Sequence, residues 1–236
     1  MPNAVRKWAP LVLIVAAFVA SFAAYTQLPP VVRLDLPDLL PFGVSRSEPA
    51  GRWLVTLLLP TVSLVLWLLF RAAPTRGGQR FARRFVRWAP EEASSPAQFE
   101  RFASTYDLIV LGIVGLILGI HGAMLAAVFG YTAAAARLFP LALGWMLIVV
   151  GNVMPRLRPN WVAGLRSKRV LSDPQLWRDV HRRFGAAFVI SGIITAVVAL
   201  IAPRYGVLTG ITLLFLSCVV GFVASTRRTE MASSRT

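Results

Sequence analysis

Six apolar stretches, each close to the thickness of a lipid hydrocarbon core, constrain this chain more than any other feature of its sequence. They cover residues 8 to 25, 52 to 70, 107 to 128, 138 to 154, 184 to 202 and 206 to 225, with no Lys or Arg in any interior. A helix needs ~20 such residues to cross a ~30 Å core. Within lipid only helices and closed barrels satisfy their own backbone polar groups. The overall balance agrees: 56% of the 236 residues are hydrophobic and 15% are charged, more apolar than a soluble interior absorbs. The expected fold class is an all-α integral membrane protein of six transmembrane helices, with a cytoplasmic motif segment between helices four and five.

The charge supplies the orientation. Basic residues number 25 against 10 acidic, which on a soluble domain would suggest nucleic acid. Here 20 of the 25 fall in the N-terminus, the 71 to 106 and 155 to 183 segments and the C-terminus. The other three connections hold only Arg33, Arg46, Arg52, Arg137 and Arg204. Six crossings thus give alternating rich and poor loops, and the positive-inside rule puts the rich set and both termini in the cytoplasm. Anionic lipids of the inner leaflet are the expected partners of that charge, and no direct nucleic-acid binding is expected. Phe22-Ala23-Ala24 lacks the small residue that a cleavage site wants three back, so the first stretch reads as a retained anchor.

Four regions follow. Residues 1–71 form a two-helix unit whose loop, 26–51, carries Pro29, Pro30, Pro37, Pro41 and Pro49 and should be irregular or extended. Residues 72–106 are a basic connector. Within it Phe81, Phe85 and Trp88 share a face among Arg80, Arg83, Arg84 and Arg87, as in a helix lying on the membrane surface. Ser95-Pro96-Ala97-Gln98 has the spacing of a capped helix start. Residues 107–225 hold four spans, the last two joined by Pro203-Arg204-Tyr205 in a hairpin, and 226–236 are a short tail.

The most unusual polar segment runs from Gly151 to Gly185. Met154-Pro155 should end span four, because proline lacks an N–H and disfavours helix in the residue before it. Ser172 and Gln175 have capping-box spacing with Pro174 in the first turn, predicting a short helix over 173–183 that carries Trp177 and His181 on one face. Gly164 allows backbone conformations closed to other residues. The expected product is a folded return against the inner mouth of the bundle. Trp177 reads most simply as an interface anchor, Asn152 as a buried amide bonding a neighbouring helix, and the arginines as headgroup contacts.

This segment resembles the motif of the SdpI family, bacterial membrane proteins named for immunity to a secreted killing peptide. The resemblance rests on Gly151, Asn152, Met154, Pro155, Pro159, Asn160, Gly164, Arg166, Leu171, Ser172, Trp177, His181, Arg182 and Gly185, in register between spans four and five. Ser167-Lys168-Arg169-Val170 replaces the usual Thr-Pro-Trp-Thr. Leu28-Pro29-Pro30-Val31 resembles the opening of the family's small extracytoplasmic domain, but Arg33, Leu34 and Asp35 follow in place of its usual residues, so that domain is degenerate here. The resemblance implies protection against a membrane-active peptide toxin, with a second role in holding a cytoplasmic repressor at the membrane. Asn152, Pro155, Pro159, Asn160, Gly164, Arg166, Trp177, His181 and Arg182 are then the expected partner-binding positions.

Two ionisable groups lie in span three. Asp107 stands near the cytoplasmic entry, where Arg166 or Arg182 would be its partner. His121 stands ~21 Å further along, at 1.5 Å per residue; it is a functional candidate by default, with an imidazole bonded to an adjacent helix as the plainer reading. No catalytic pair, metal set or cofactor motif is present in the sequence, so an enzyme is not expected. A small-solute transporter or channel and a non-catalytic scaffold are the alternatives.

Overall fold

The computed structural model describes residues 3–34, 48–73, 75, 103–158, 164–165, 167 and 168–226. The surface helix expected over 79–88, the helix start at 95, and the positions of Pro159, Asn160 and Arg166 lie outside these residues.

Six helices long and apolar enough to cross a membrane are present, and the chain is an all-α polytopic membrane protein. The helices are α1 (Asn3–Gln27), α2 (Arg52–Ala72), α3 (Ala103–Val128) and α4 (Thr132–Val153), then the short α5 (Lys168–Ser172), the long α6 (Pro174–Ile201) and α7 (Pro203–Thr226). Large apolar side chains such as Val19, Phe22, Leu69, Ile190, Phe215 and Phe222 stand exposed on them. That is the expected surface where the solvent is lipid rather than water.

The helices alternate in direction, and their end contacts show it. Trp8 at the start of α1 meets Trp67 near the end of α2 with ring centroids 6.2 Å apart. At the opposite side of the membrane Arg52, opening α2, lies 4.2 Å over the ring of Tyr25 near the end of α1. Phe70 and Tyr106 meet edge-on at 6.2 Å where α2 gives way to α3. The N-terminus and the segment between α4 and α6 therefore share one side of the membrane. Packing falls into two groups joined by α3: α1 and α2 lie against each other and α3, while α4, α6 and α7 pack together with α4 against α3.

Glycines set the closest of these approaches. A Cβ on Gly144 would stand 2.8 Å from the Gly192 carbonyl oxygen, and one on Gly192 would stand 2.6 Å from that of Gly144. The same reciprocity holds one heptad along, 2.7 Å from Gly151 to the Gly185 oxygen and 2.6 Å in return. Antiparallel α4 and α6 thus touch backbone to backbone at two levels. Small residues drive helix association in lipid because they permit this contact.

One expectation gains detail and two change. The 26–51 loop is extended at both ends and paired there, with β1 (Val31–Leu34) antiparallel to β2 (Glu48–Gly51) and Val32 opposite Ala50. Leu28, Val32 and Val55 bury together against Met124 and Val128, so the ribbon caps the far ends of α2 and α3. Span four starts six residues early, since Gly130 (φ 84) ends α3 with Tyr131 N–H donating to Ala126 O at 2.8 Å and α4 begins at once. This is the left-handed glycine stop of a helix C-terminus. The separate helix over 173–183 does not exist, because α6 runs unbroken for 28 residues. At 1.5 Å per residue it is ~42 Å long, well beyond a ~30 Å core, so its first turns stand outside the hydrocarbon.

Candidate functional site: a return segment locked on helix α6

Between α4 and α6 the chain leaves the bundle and comes back. Val153 closes α4, and Met154–Arg156 tighten into one 3-10 turn with Pro155 near its start. Leu157 then turns extended (φ −65, ψ 132) and is 3% exposed. On the way back Ser167 caps α5 by accepting from Val170 N–H at 3.3 Å, and Val170 and Leu171 enter the core. Asp173 caps α6, accepting from Gln175 N–H at 2.8 Å and Leu176 N–H at 3.0 Å, with Pro174 at the first position. A carboxylate there complements the helix dipole. The expected cap Ser172 instead ends α5 and donates to Arg169 O at 3.1 Å; the carboxylate one residue later takes the position.

Trp177 and His181 hold the return in place. Both are fully buried, and their rings stack with centroids 3.9 Å apart. Trp177 Nε1–H donates to the Leu157 carbonyl at 2.7 Å, which ties the departing strand of the return to α6. Leu165 N–H donates to His181 Nε2 at 3.1 Å, which ties the arriving strand to the same face. The other nitrogen, Nδ1, stands 2.8 Å from the Trp177 carbonyl. A nitrogen that accepts from an amide carries no proton, so His181 is neutral with its proton on Nδ1. Protonation at Nε2 would set two donors face to face.

Gly164 is required by the same geometry. Its φ is +98, and a Cβ there would collide with His181 Nε2. Only glycine brings the Leu165 amide within hydrogen-bond reach of the imidazole. The structure thus joins three of the expected site residues, Gly164, Trp177 and His181, in one cluster, with Pro155 shaping the exit from α4. Trp177 is not an interface anchor; its N–H finds a buried carbonyl instead of headgroups.

The outer surface of the return is basic. Arg156, Arg158, Arg169, Arg178, Arg182 and Arg183 are all exposed, and Arg182 lies 3.9 Å from Asp179 on its own helix. With the Arg182 side chain 75% exposed, such a pair adds little stability. Asn152 is exposed as well, which corrects its reading as a buried amide: its neighbours Gly151 and Val153 turn inward and leave it on the outer side of α4.

The two intramembrane groups belong to the other half. Asp107 Oδ1 lies 3.9 Å from Arg71 and not from Arg182, because the end of α2 is beside the start of α3. His121 is 3% exposed, with Nε2 2.8 Å from Ser21 Oγ on α1, the contact to an adjacent helix that the plainer reading expects. Residues that sequence reasoning missed are Ser21 and the backbone groups of Leu157 and Leu165; a carbonyl and an amide leave no mark in a sequence. Among the described residues no three His, Cys, Asp or Glu side chains are placed to hold a metal ion.

A six-helix membrane bundle with a folded return pinned to the base of its fifth span defines the class of protein. Residues 156–226 match the family model described as SdpI/YfhL protein family. Over 218 residues, 91% of each chain, the sequence is 25% identical to Immunity protein SdpI of Bacillus subtilis (strain 168). Over 92 residues, 37% of this chain and 84% of the relative, it is 26% identical to Uncharacterized protein YfhL of the same organism. No solved structure matches the chain significantly. The family match and the two relatives support membership of the SdpI family.

Proposed function

We propose that this protein confers immunity to a membrane-active peptide toxin, with the return segment on the cytoplasmic side of a bacterial cytoplasmic membrane. The similarity to an immunity protein along nine-tenths of both chains carries the reading. The clamp of Gly164, Trp177 and His181 supports it, since it holds residues of the motif in one defined shape. No catalytic role is assigned to these groups: both His181 nitrogens are engaged in the fold. Toxin is met from outside or within the bilayer near His121 and the outer loop, and the change is relayed through α3 and α4 to the return. A second role follows from the basic outer surface of the return, which is a natural docking face for a cytoplasmic repressor.

Deletion of the gene in its host, followed by co-culture with strains that secrete membrane-active peptides, tests the reading. Loss of viability that the restored gene reverses is the expected result. Equal survival of deletion and parent strains against every such peptide would contradict it.

A further inference from the structure

The glycine contacts between α4 and α6 divide their seam into two flanks. On one, Leu147 and Phe188 are buried in the core. On the other, Ile148 lies against Gly192 and Val189 against Gly151, and both are only half-buried. Further along this open flank, toward the return, stand Asn152 on α4, one turn from Ile148, and Arg182 on α6, two turns from Val189. Gly144 opposite Gly192 and Gly151 opposite Gly185 fix the register of the two helices. Continued toward the return, that register puts Arg182 two residues beyond Asn152 and Arg178 four residues beyond that. Asn152, Arg156 and Arg178 therefore lie within ~9 Å of rise at 1.5 Å per residue.

The depth of this cluster is that of lipid headgroups. Asn152 is ~30 Å from Thr132 at the start of α4, and Arg182 is ~29 Å from Ile201 at the end of α6. Both distances match a ~30 Å hydrocarbon core, so polar atoms here stand at its edge. Asn152 is exposed, and its amide has no hydrogen-bond partner among the described residues. Arg156 and Arg178 are exposed as well, and no described carboxylate pairs with either. Arg182 is held by Asp179 and is left out of the count. One amide and two accessible guanidiniums at the foot of an apolar groove match a phosphodiester joined to acyl chains.

We propose that the open flank of the α4–α6 seam binds an anionic phospholipid from the leaflet on the side of the return. Its phosphodiester lies between Arg156 and Arg178 and accepts the Asn152 amide N–H. Its acyl chains run along Ile148 and Val189, walled by Trp145 on α4 and Ile193 on α6, both exposed. A lipid seated there braces α4 against α6 where the return departs and rejoins. The groove opens to the bilayer and involves neither His121 nor the outer loop, so the site stands or falls apart from the immunity reading.

Native mass spectrometry of the full chain in detergent, titrated with phosphatidylglycerol or phosphatidylcholine, reads the first lipid bound. Wild type should take phosphatidylglycerol about tenfold more tightly than phosphatidylcholine. Arg156→Gln and Arg178→Gln should each weaken phosphatidylglycerol about fivefold, as expected for one cation near a headgroup. Asn152→Ala, which changes no charge, should weaken it about fivefold through the lost hydrogen bond. Arg183→Gln is the control: it removes an equal charge from the same end of α6, on the flank of Ile190 and Ile194, and should leave the affinity unchanged. Unaltered affinity in both Asn152→Ala and Arg178→Gln would overturn the proposal. So would equal losses in Arg183→Gln and Arg178→Gln, because the lipid would then answer to diffuse charge. Displacement of the lipid by an equal concentration of inorganic phosphate would overturn it too, because the site would then take a free anion.

Discussion

Gly164, Trp177 and His181 make the return one shape rather than many, and each can be tested by removing a single feature. Gly164→Ala adds a Cβ that collides with His181 Nε2 at a left-handed backbone position. A β-carbon at such a φ costs about 1 kcal/mol or more by itself, so the expected result is a lower unfolding midpoint in detergent and faster proteolysis within 157–173. Trp177→Phe keeps an aromatic ring but removes the N–H half of the indole, leaving a small void and stranding the buried Leu157 carbonyl, which should cost about 1–3 kcal/mol or more; an unchanged midpoint would mean that the 2.7 Å bond contributes nothing. Trp177 and His181 were legible as a pair from their four-residue spacing. Which way they faced was not, because that spacing serves a headgroup anchor and an inward clamp equally well.

At the scale of elements, the two glycine levels between α4 and α6 decide how closely the C-terminal helices pack. Gly192→Ala places a Cβ 2.6 Å from the Gly144 oxygen, a backbone atom that cannot step aside. Overpacking of this kind costs about 1–3 kcal/mol. Gly122→Ala is the matched control, since nothing lies within 4 Å of its new carbon and alanine favours helix by about 1 kcal/mol. Thermal unfolding should therefore separate the pair in opposite directions, and equal shifts would show that the close contact does not limit stability. Apolar length located all six spans in the sequence. It missed the continuity of α6 because Arg178, Arg182 and Arg183 look like the end of a span, although nothing from Pro174 to Ile201 breaks a helix. It also missed the β1–β2 ribbon, whose strands are only four residues each and lack a clear period of two. The Arg71–Asp107 pair was equally hidden, since it depends on which helix ends are neighbours.

For the whole molecule, α3 is the element that both halves share, and the buried polar groups differ across it. On α6 and α7, Ser191 Oγ meets Ser217 Oγ at 2.9 Å, while Thr195 donates to Ser191 O at 2.7 Å. In the α1–α2–α3 half, Ser63 Oγ, Trp67 Nε1 and His121 Nδ1 are buried without partners. That asymmetry fits a fixed C-terminal unit carrying the return and an N-terminal unit that, in the immunity reading, meets a peptide. The account depends most on six crossings that put the return inside the cell. Cys218 is the only cysteine, so Cys218→Ser provides a background for a single cysteine at exposed Ser167 in the return or at exposed Tyr131 in the α3–α4 turn. With a membrane-impermeant maleimide, Tyr131→Cys should label on intact cells and Ser167→Cys only after permeabilisation. Labelling of Ser167→Cys on intact cells, with Tyr131→Cys protected, would contradict the account.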